Sequence, residues 1–151
     1  MDKDAVDASM LICEMAAYYR TQGITLLQAR ENMYKKYGFF YQTLYSFTFE
    51  GASGMKKMAD IMENLRNNHP TEIAGLKVIR FDDYKFSTSK NVVTGEVTEL
   101  TLPKSNVLAF FLEGGSKVIV RPSGTEPKVK AYITSKQDTR EEAEAIEQKI
   151  Y

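Results

Sequence analysis

Apolar and polar residues alternate along several short segments of this chain, which is the pattern of half-buried β-strands. Between Phe39 and Phe49 every second side chain is aromatic or threonine, which predicts a strand or an extended linker. Apolar runs at 107–112 and 117–120 flank the glycine-containing stretch 113–116, so we predict a tight hairpin there. Further strands are predicted at 76–81 and 129–134.

Helical spacing of apolar residues predicts two helices at the start of the chain. The first begins after a cap at Asp2 or Asp4 and runs to about Arg20, and the capping-box pattern Thr25–Gln28 opens the second. We predict that they form a helical hairpin over residues 1–38, separate from the rest of the chain. The first helix is apolar on almost all sides. A helix of this kind is normally buried between neighbouring elements, and this chain offers few segments to surround it.

A third helix is predicted from about Gly51 to Asn67, and a fourth begins at the capping-box pattern that starts at Thr139. The inward stripe predicted for the third helix comprises Met55, Ala59, Met62 and Leu65. The polar stretch 82–105 is predicted as a long loop with a short strand at 96–102. We therefore predict that residues 39–151 form an α+β domain, an antiparallel sheet with helices packed on it.

Composition narrows the classes of partner. The chain has 151 residues, and twenty Lys and Arg balance twenty Asp and Glu, so its formal net charge is zero. This argues against a nucleic-acid or anionic-membrane partner bound through bulk charge. Cys13 has no second cysteine to pair with, which favours a cytoplasmic setting, and with His69 alone beside it no metal site is predicted. No apolar run is long enough to span a bilayer.

The stretch from Arg121 to Lys130 concentrates positive charge, with three cations and one carboxylate. Arginine offers a planar, two-pronged donor to phosphate oxygens, and Ser123 and Thr125 can donate further hydrogen bonds. Gly124 allows backbone amides to approach an anion closely, and the two prolines restrict the loop before a ligand arrives. The pattern predicts a phosphate-binding loop.

An ordinary polar turn between two strands is an equally weighted alternative from composition alone. Lys128 and Lys130 would then be solvated strand residues, and Glu126 would repel a phosphate unless it turned away or paired with a lysine. The spacing is not that of a nucleotide-binding P-loop. No histidine lies near Ser123 or Thr125 in the sequence, so we predict binding and no catalytic residue here.

The same loop resembles a known family. It reads RPSGTEPKVKAY from Arg121 to Tyr132, similar to the C-terminal phosphate-binding loop of the α-D-phosphohexomutases, the phosphoglucomutases and phosphomannomutases. Similarity extends to Ser105–Leu108, to the helix from Glu50 to Arg66, and to Lys3–Val6. The resemblance implies that residues 39–151 are the fourth mutase domain, with a fold similar to the TATA-binding protein's. Residues 1–38 would be the tail of the third.

Such mutases interconvert hexose 1-phosphate and hexose 6-phosphate through a phosphoserine and a bisphosphate intermediate. The resemblance assigns the phosphate that is not being transferred to contacts with Arg121, Ser123, Gly124 and Thr125. Lys130 matches a basic position that also faces the ligand, and Lys128 is a further candidate. The implied ligand is a glucose or mannose 1- or 6-phosphate, with glucose favoured by the closeness of the loop match, and the implied partners are the remaining mutase domains.

Three motifs of that family are absent from this sequence: the phosphoserine segment Thr-x-Ser-His-Asn-Pro, the magnesium loop Asp-x-Asp-x-Asp-Arg and the sugar-reading loop Gly-Glu-x-Ser-Gly. The chain therefore resembles a C-terminal piece, expected to be inactive alone, and the Mg²⁺ of the parent enzyme would be bound by a domain not present here. A free-standing, non-catalytic phosphosugar-binding module and a purely structural interaction domain stay open as alternatives.

Overall fold

The computed structural model describes residues 4–51 and 53–150. The chain divides into two compact units, with the boundary between Gly38 and Phe39. The N-terminal unit contains helices α1 (Ala5–Thr21) and α2 (Leu26–Tyr37). Along the described residues, no helix is both long enough and apolar enough to cross a bilayer.

Both helices of the N-terminal unit begin at the caps that the sequence predicts. The Asp4 carboxylate accepts hydrogen bonds from the backbone N–H groups of Val6 and Asp7, at 3.1 and 3.0 Å. Asp2, the alternative cap, lies outside the described residues. At α2, the Thr25 N–H donates to the Gln28 side chain at 2.8 Å and the Gln28 N–H donates to the Thr25 hydroxyl at 3.2 Å, which confirms the capping box.

Helix α1 exposes its apolar side chains. No residue of α1 is buried, and the exposed fraction reaches 70% for Val6. The other large apolar side chains exposed on this helix are Met10, Leu11, Ile12, Met15 and Tyr18. The described residues therefore do not supply the covering surface that the sequence pattern of this helix calls for.

The C-terminal unit is built on one antiparallel sheet. The strand order is β1-β8-β7-β6-β3-β4-β5, and β2 pairs with β3. The strands are β1 (Phe39–Thr48), β2 (Glu72–Ile73), β3 (Leu76–Asp83), β4 (Thr88–Asn91), β5 (Val97–Glu99), β6 (Leu108–Leu112), β7 (Lys117–Pro122) and β8 (Lys128–Gln137). The helices are α3 (Gly54–Asn67) and α4 (Arg140–Ile150), and a 3₁₀ turn at Glu113–Gly115 closes the predicted β6–β7 hairpin. The α+β fold class is confirmed.

The core lies between the sheet and its two helices. Met58 and Met62 of α3 pack with buried strand residues, and Ile150 of α4 packs against the same cluster. The strand residues of this core are Val78, Phe81, Leu108, Phe110, Leu112, Val118, Val120, Val129 and Ile133. Because the alternating apolar positions of the strands supply most of the core, the hairpin and β8 could be recognised in the sequence.

The long loop predicted at 82–105 contains regular structure, so that prediction was wrong in part. Strand β3 extends to Asp83, β4 occupies Thr88–Asn91, and β5 lies within the predicted strand. Strand β4 has no apolar alternation because its buried side chain is Ser89, whose hydroxyl donates to the Asp82 carboxylate at 2.6 Å. A polar pair thus replaces the hydrophobic contact that would have marked this strand.

The buried face of α3 also differs from the predicted stripe. Met58, Met62 and Arg66 are buried together with Gly54, whereas Met55 is 48% exposed. These buried residues follow i, i+4 spacing. The prediction was right for Met62, which is buried, and for Leu65, which is partly buried against the core, and wrong for Met55 and Ala59, which are exposed. Tertiary contacts at both ends of α3, made by Gly54 and by Arg66, determine which face turns inward.

Candidate phosphate-binding site

The candidate loop connects two neighbouring strands of the sheet. Strand β7 ends at Pro122 and β8 begins at Lys128, and their register pairs Arg121 with Lys130. Directly opposed residues in an antiparallel pair point to the same face, with Cβ atoms about 5 Å apart. Along the described residues no carboxylate forms an ion pair with either side chain. Two uncompensated cations therefore stand side by side at the loop, an arrangement that an anion would stabilise.

Backbone hydrogen bonds within the loop fix its shape. The Ser123 N–H donates to the Lys128 carbonyl at 2.8 Å, and the Lys128 N–H donates to the Glu126 carbonyl at 2.7 Å. The Ser123 hydroxyl oxygen accepts from the Glu126 N–H at 3.3 Å. Since this bond uses only a lone pair, the Ser123 O–H remains available as a donor to a ligand.

Lys128 and Glu126 form an ion pair, with 3.1 Å between Nζ and Oε2. The lysine neutralises the Glu126 carboxylate, which would otherwise repel an anion bound at the loop. Lys128 consequently adds less free charge to the loop than Arg121 or Lys130 does.

One side of the loop faces a cleft of about 530 Å³. Of the candidate residues, Arg121, Ser123 and Gly124 line it, whereas Thr125, Lys128 and Lys130 are not among its lining residues. The other lining residues are Met58, Ser105, Asn106, Val107 and Pro122. A Cβ atom built on Gly124 would meet no atom within 4 Å, so the space beside this glycine is open to a ligand.

The base of the loop is anchored to the start of α3. The Phe49 N–H donates to the Pro127 carbonyl at 2.8 Å. Gly54, the first residue of α3, lies so close that a Cβ there would be 2.2 Å from the Phe49 carbonyl oxygen and 3.0 Å from the Pro127 Cβ. The position of α3 and that of the loop therefore depend on each other.

A buried guanidinium that sequence reasoning did not single out lies behind the cleft. Arg66 Nε donates to Asp83 Oδ2 at 2.7 Å, and both side chains are almost fully buried. Arg66 Nη1 donates to Glu63 at 2.7 Å, and Nη2 donates to Asn106 Oδ1 at 2.9 Å.

Glu63 also accepts from Lys85, and this hydrogen bond lowers the pKa of the Glu63 carboxyl below its usual value.

The donor set of the loop does not suit a magnesium ion, which prefers carboxylate and carbonyl oxygens around it. The cleft offers cationic, hydroxyl and amide donors, none of its described lining residues carries a carboxylate, and Glu126 of the loop is paired with Lys128. Within residues 4–51 and 53–150, no group of three or more His, Cys, Asp or Glu side chains could hold a metal ion.

Comparison with known proteins identifies relatives that share this domain. The family model described as "Phosphoglucomutase/phosphomannomutase, C-terminal domain" matches residues 50–151. A phosphoglucomutase of Staphylococcus epidermidis (strain RP62A) is 38% identical over 133 residues, which is 88% of this chain and 24% of that protein. A phosphoglucomutase of Staphylococcus aureus (strain bovine RF122) is 41% identical over 135 residues, covering 89% of this chain and 24% of that protein.

A solved structure shares the fold. The open form of the exocytosis-sensitive phosphoprotein pp63/parafusin, a phosphoglucomutase from Paramecium, superposes with a TM-score of 0.57 at 17% identity and covers 91% of this chain and 23% of that one. The chain thus spans about a quarter of the length of the curated relatives it matches. The family model covers more than half of the residues, which confirms the resemblance: the chain belongs to the phosphoglucomutase/phosphomannomutase family and carries its C-terminal domain.

Proposed function

We propose that this chain is the phosphate-clamping, C-terminal part of a phosphoglucomutase or phosphomannomutase that interconverts hexose 1-phosphate and hexose 6-phosphate. The observation that carries the proposal is the Arg121–Lys130 pair, two adjacent cations without a carboxylate partner among the described residues. A phosphate monoester carries a charge of about −1.5 to −2 at pH 7, which this pair would neutralise.

The clamp binds and orients its ligand. Arg121 would donate two parallel hydrogen bonds to the phosphate, Ser123 would donate its free O–H, and Lys130 would add charge. Gly124 and Thr125 would contribute backbone and hydroxyl donors from the tip of the loop. Because these contacts recognise only the phosphate, the clamp would accept one attached at either end of a glucose or mannose ring.

Phosphoryl transfer itself would occur on parts of the longer protein. A phosphoserine there would transfer its phosphoryl group to the sugar phosphate, forming the bisphosphate. The serine would then accept the other phosphoryl group of the bisphosphate, which restores the phosphoserine. Mg²⁺, bound by a domain other than this one, would neutralise charge during transfer. The clamp holds the far phosphate, so the sugar is presented in a fixed position to the reacting groups.

The direct test is a titration of the chain with glucose 6-phosphate, followed by the backbone amide signals of residues 123–126 in ¹⁵N–¹H spectra. We expect dissociation constants in the millimolar range for the wild type, because one clamp without the remaining cleft supplies only about 4 kcal/mol. Arg121→Ala should weaken binding about 10- to 100-fold, since hydrogen bonds to charged groups contribute roughly 1.5–3 kcal/mol each.

Lys117→Ala is the matched control. Lys117 lies on β7 as Arg121 does, and its substitution removes one positive charge about 13 Å from Arg121 along the strand. It should bind like the wild type. Equal affinities of the wild type and Arg121→Ala, or the absence of binding by the wild type, would refute the clamp.

We also propose that residues 1–38 are the tail of the preceding mutase domain, whose remainder covers the apolar face of α1 in the longer protein. Support comes from the exposure of that face and from the coverage of only 24% of the relatives. We expect the 151-residue chain to self-associate through this face, and a chain lacking residues 1–38 to be a folded monomer.

Light scattering during size-exclusion chromatography measures the molar mass, and so the oligomeric state, of the full and the shortened chain. Circular dichroism checks that the shortened chain retains its fold. A full chain that stays monomeric at the same concentration would contradict the expectation.

A further inference from the structure

We propose that the side-chain amide of Asn106 is a further donor to the ligand phosphate, held in its donating orientation by Arg66. The inference rests on the proposed function and adds a residue that lines the same cleft but lies outside the loop. The donors of the proposed clamp lie on the β7–β8 loop, whereas Asn106 lies in the segment that leads into β6. The phosphate would thus be held between two separate segments of the domain.

The orientation of the Asn106 amide is set by its partner. Arg66 Nη2 lies 2.9 Å from Asn106 Oδ1, and a guanidinium has donors but no acceptor. The atom that faces Arg66 must therefore be the carbonyl oxygen, and the planar amide turns its NH₂ group away from Arg66. Asn106 is exposed, and its Nδ2 makes no hydrogen bond within the described residues.

Arg66 is itself held firmly in place. Its Nε and Nη1 atoms donate to Asp83 and Glu63, both at 2.7 Å, and its side chain is only 6% exposed. The Phe86 ring lies 5.5 Å from the guanidinium carbon. A fixed guanidinium fixes the amide that accepts from it, so the Asn106 donors are oriented before any ligand binds.

The strand register brings Asn106 to the loop. Strands β6 and β7 pair Leu108 with Val120, so Asn106, two residues before Leu108, and Pro122, two residues after Val120, lie at the same end of the hairpin. Asn106 lines the same cleft as Arg121, Ser123 and Gly124. Its amide supplies two N–H donors without adding charge, which complements the charged donor Arg121 in the same cleft.

The test uses the complete chain titrated with glucose 6-phosphate, with glucose as the uncharged comparison. The Asn106 side-chain NH₂ signals, assigned by their loss in Asn106→Asp, should shift with the phosphate ester and not with glucose. Asn106→Ala should weaken binding about 10-fold, the effect of losing one hydrogen bond to a charged group.

Asn106→Asp adds a negative charge to the cleft while its carboxylate still accepts from Arg66. Affinity should fall further than in Asn106→Ala, because the donor is lost and the new charge repels the phosphate. The shift of the Asn106 NH₂ signals in the wild type is the readout that distinguishes a ligand contact from a purely structural role. Asn64→Asp is the charge-matched control on the exposed face of α3, where the Asn68 amide can still donate to the new carboxylate.

The outcomes distinguish this inference from the clamp on which it rests. Shifted loop amides with unmoved Asn106 NH₂ signals and unchanged affinity of Asn106→Ala would overturn the role of Asn106 and leave the clamp standing. No shift of the loop amides in the wild type would overturn both. Thermal unfolding of each variant confirms that a lost signal does not come from a lost fold.

Discussion

Replacing Arg66 by alanine is expected to lower the free energy of unfolding by about 3–5 kcal/mol, because it leaves the buried Asp83 carboxylate without its cation. The two side chains are 6% and 4% exposed, so little water can replace the lost partner. Asn106 loses the donor that orients it as well, so phosphate binding should weaken in the same variant.

Urea denaturation, monitored by circular dichroism, measures the free energy of unfolding that Arg66→Ala loses. Glu63→Ala is the comparison, since it removes the exposed partner of the same guanidinium and leaves the buried pair intact; it should have little effect on unfolding. The double variant Arg66→Met, Asp83→Leu should recover much of the stability, because neither charge is then buried alone. Equal stability of Arg66→Ala and Glu63→Ala would contradict a dominant role for the buried pair.

Replacing Gly54 by alanine should destabilise the C-terminal unit, although alanine is ordinarily the better helix former by about 1 kcal/mol. The new Cβ would lie 2.2 Å from the Phe49 carbonyl oxygen and 3.0 Å from the Pro127 Cβ. The nearer atom belongs to the backbone, so relief requires α3 to move away from the end of β1. Overpacking of this kind costs about 1–3 kcal/mol, sometimes more.

The same substitution should disturb the phosphate loop, since the Pro127 carbonyl accepts from the Phe49 N–H. We expect the amide signals of residues 123–126 to move in Gly54→Ala even without ligand. Gly124→Ala is the steric control for stability, because its Cβ would meet no atom within 4 Å. A gain of stability in Gly54→Ala, or unmoved loop signals, would show that the close approach does not couple helix and loop.

Several features could be predicted from the sequence because their cause is local. The caps at Asp4 and Thr25 join residues two or three positions apart, so their hydrogen bonds can be anticipated from composition and spacing. The glycine-containing hairpin between β6 and β7 was predictable for the same reason. The candidate loop is also contiguous, and so all six of its candidate residues could be named before the fold was known.

Other features depend on partners that are remote in the sequence. Glu147, within the predicted final helix, is buried because the Thr43 and Tyr45 hydroxyls donate to it at 2.6 and 2.5 Å across about a hundred residues. No sequence pattern in strand β1 or helix α4 predicts this contact. A buried carboxylate in a helix thus looks like a solvated charge until its hydroxyl partners are brought to it.

The sequence by itself determined the elements of the sheet that carry apolar alternation, the helix caps and the identity of the candidate loop, since each is encoded by neighbours along the chain. Only the tertiary structure decided the polar strand β4, the inward face of α3 and the Arg66–Asn106 contact. In β4 and in the Arg66–Asn106 contact, hydrogen bonds between polar residues of different elements replace a hydrophobic periodicity, so no local pattern precedes them. The inward face of α3 was decided by the contacts of Gly54 and Arg66 with residues outside the helix.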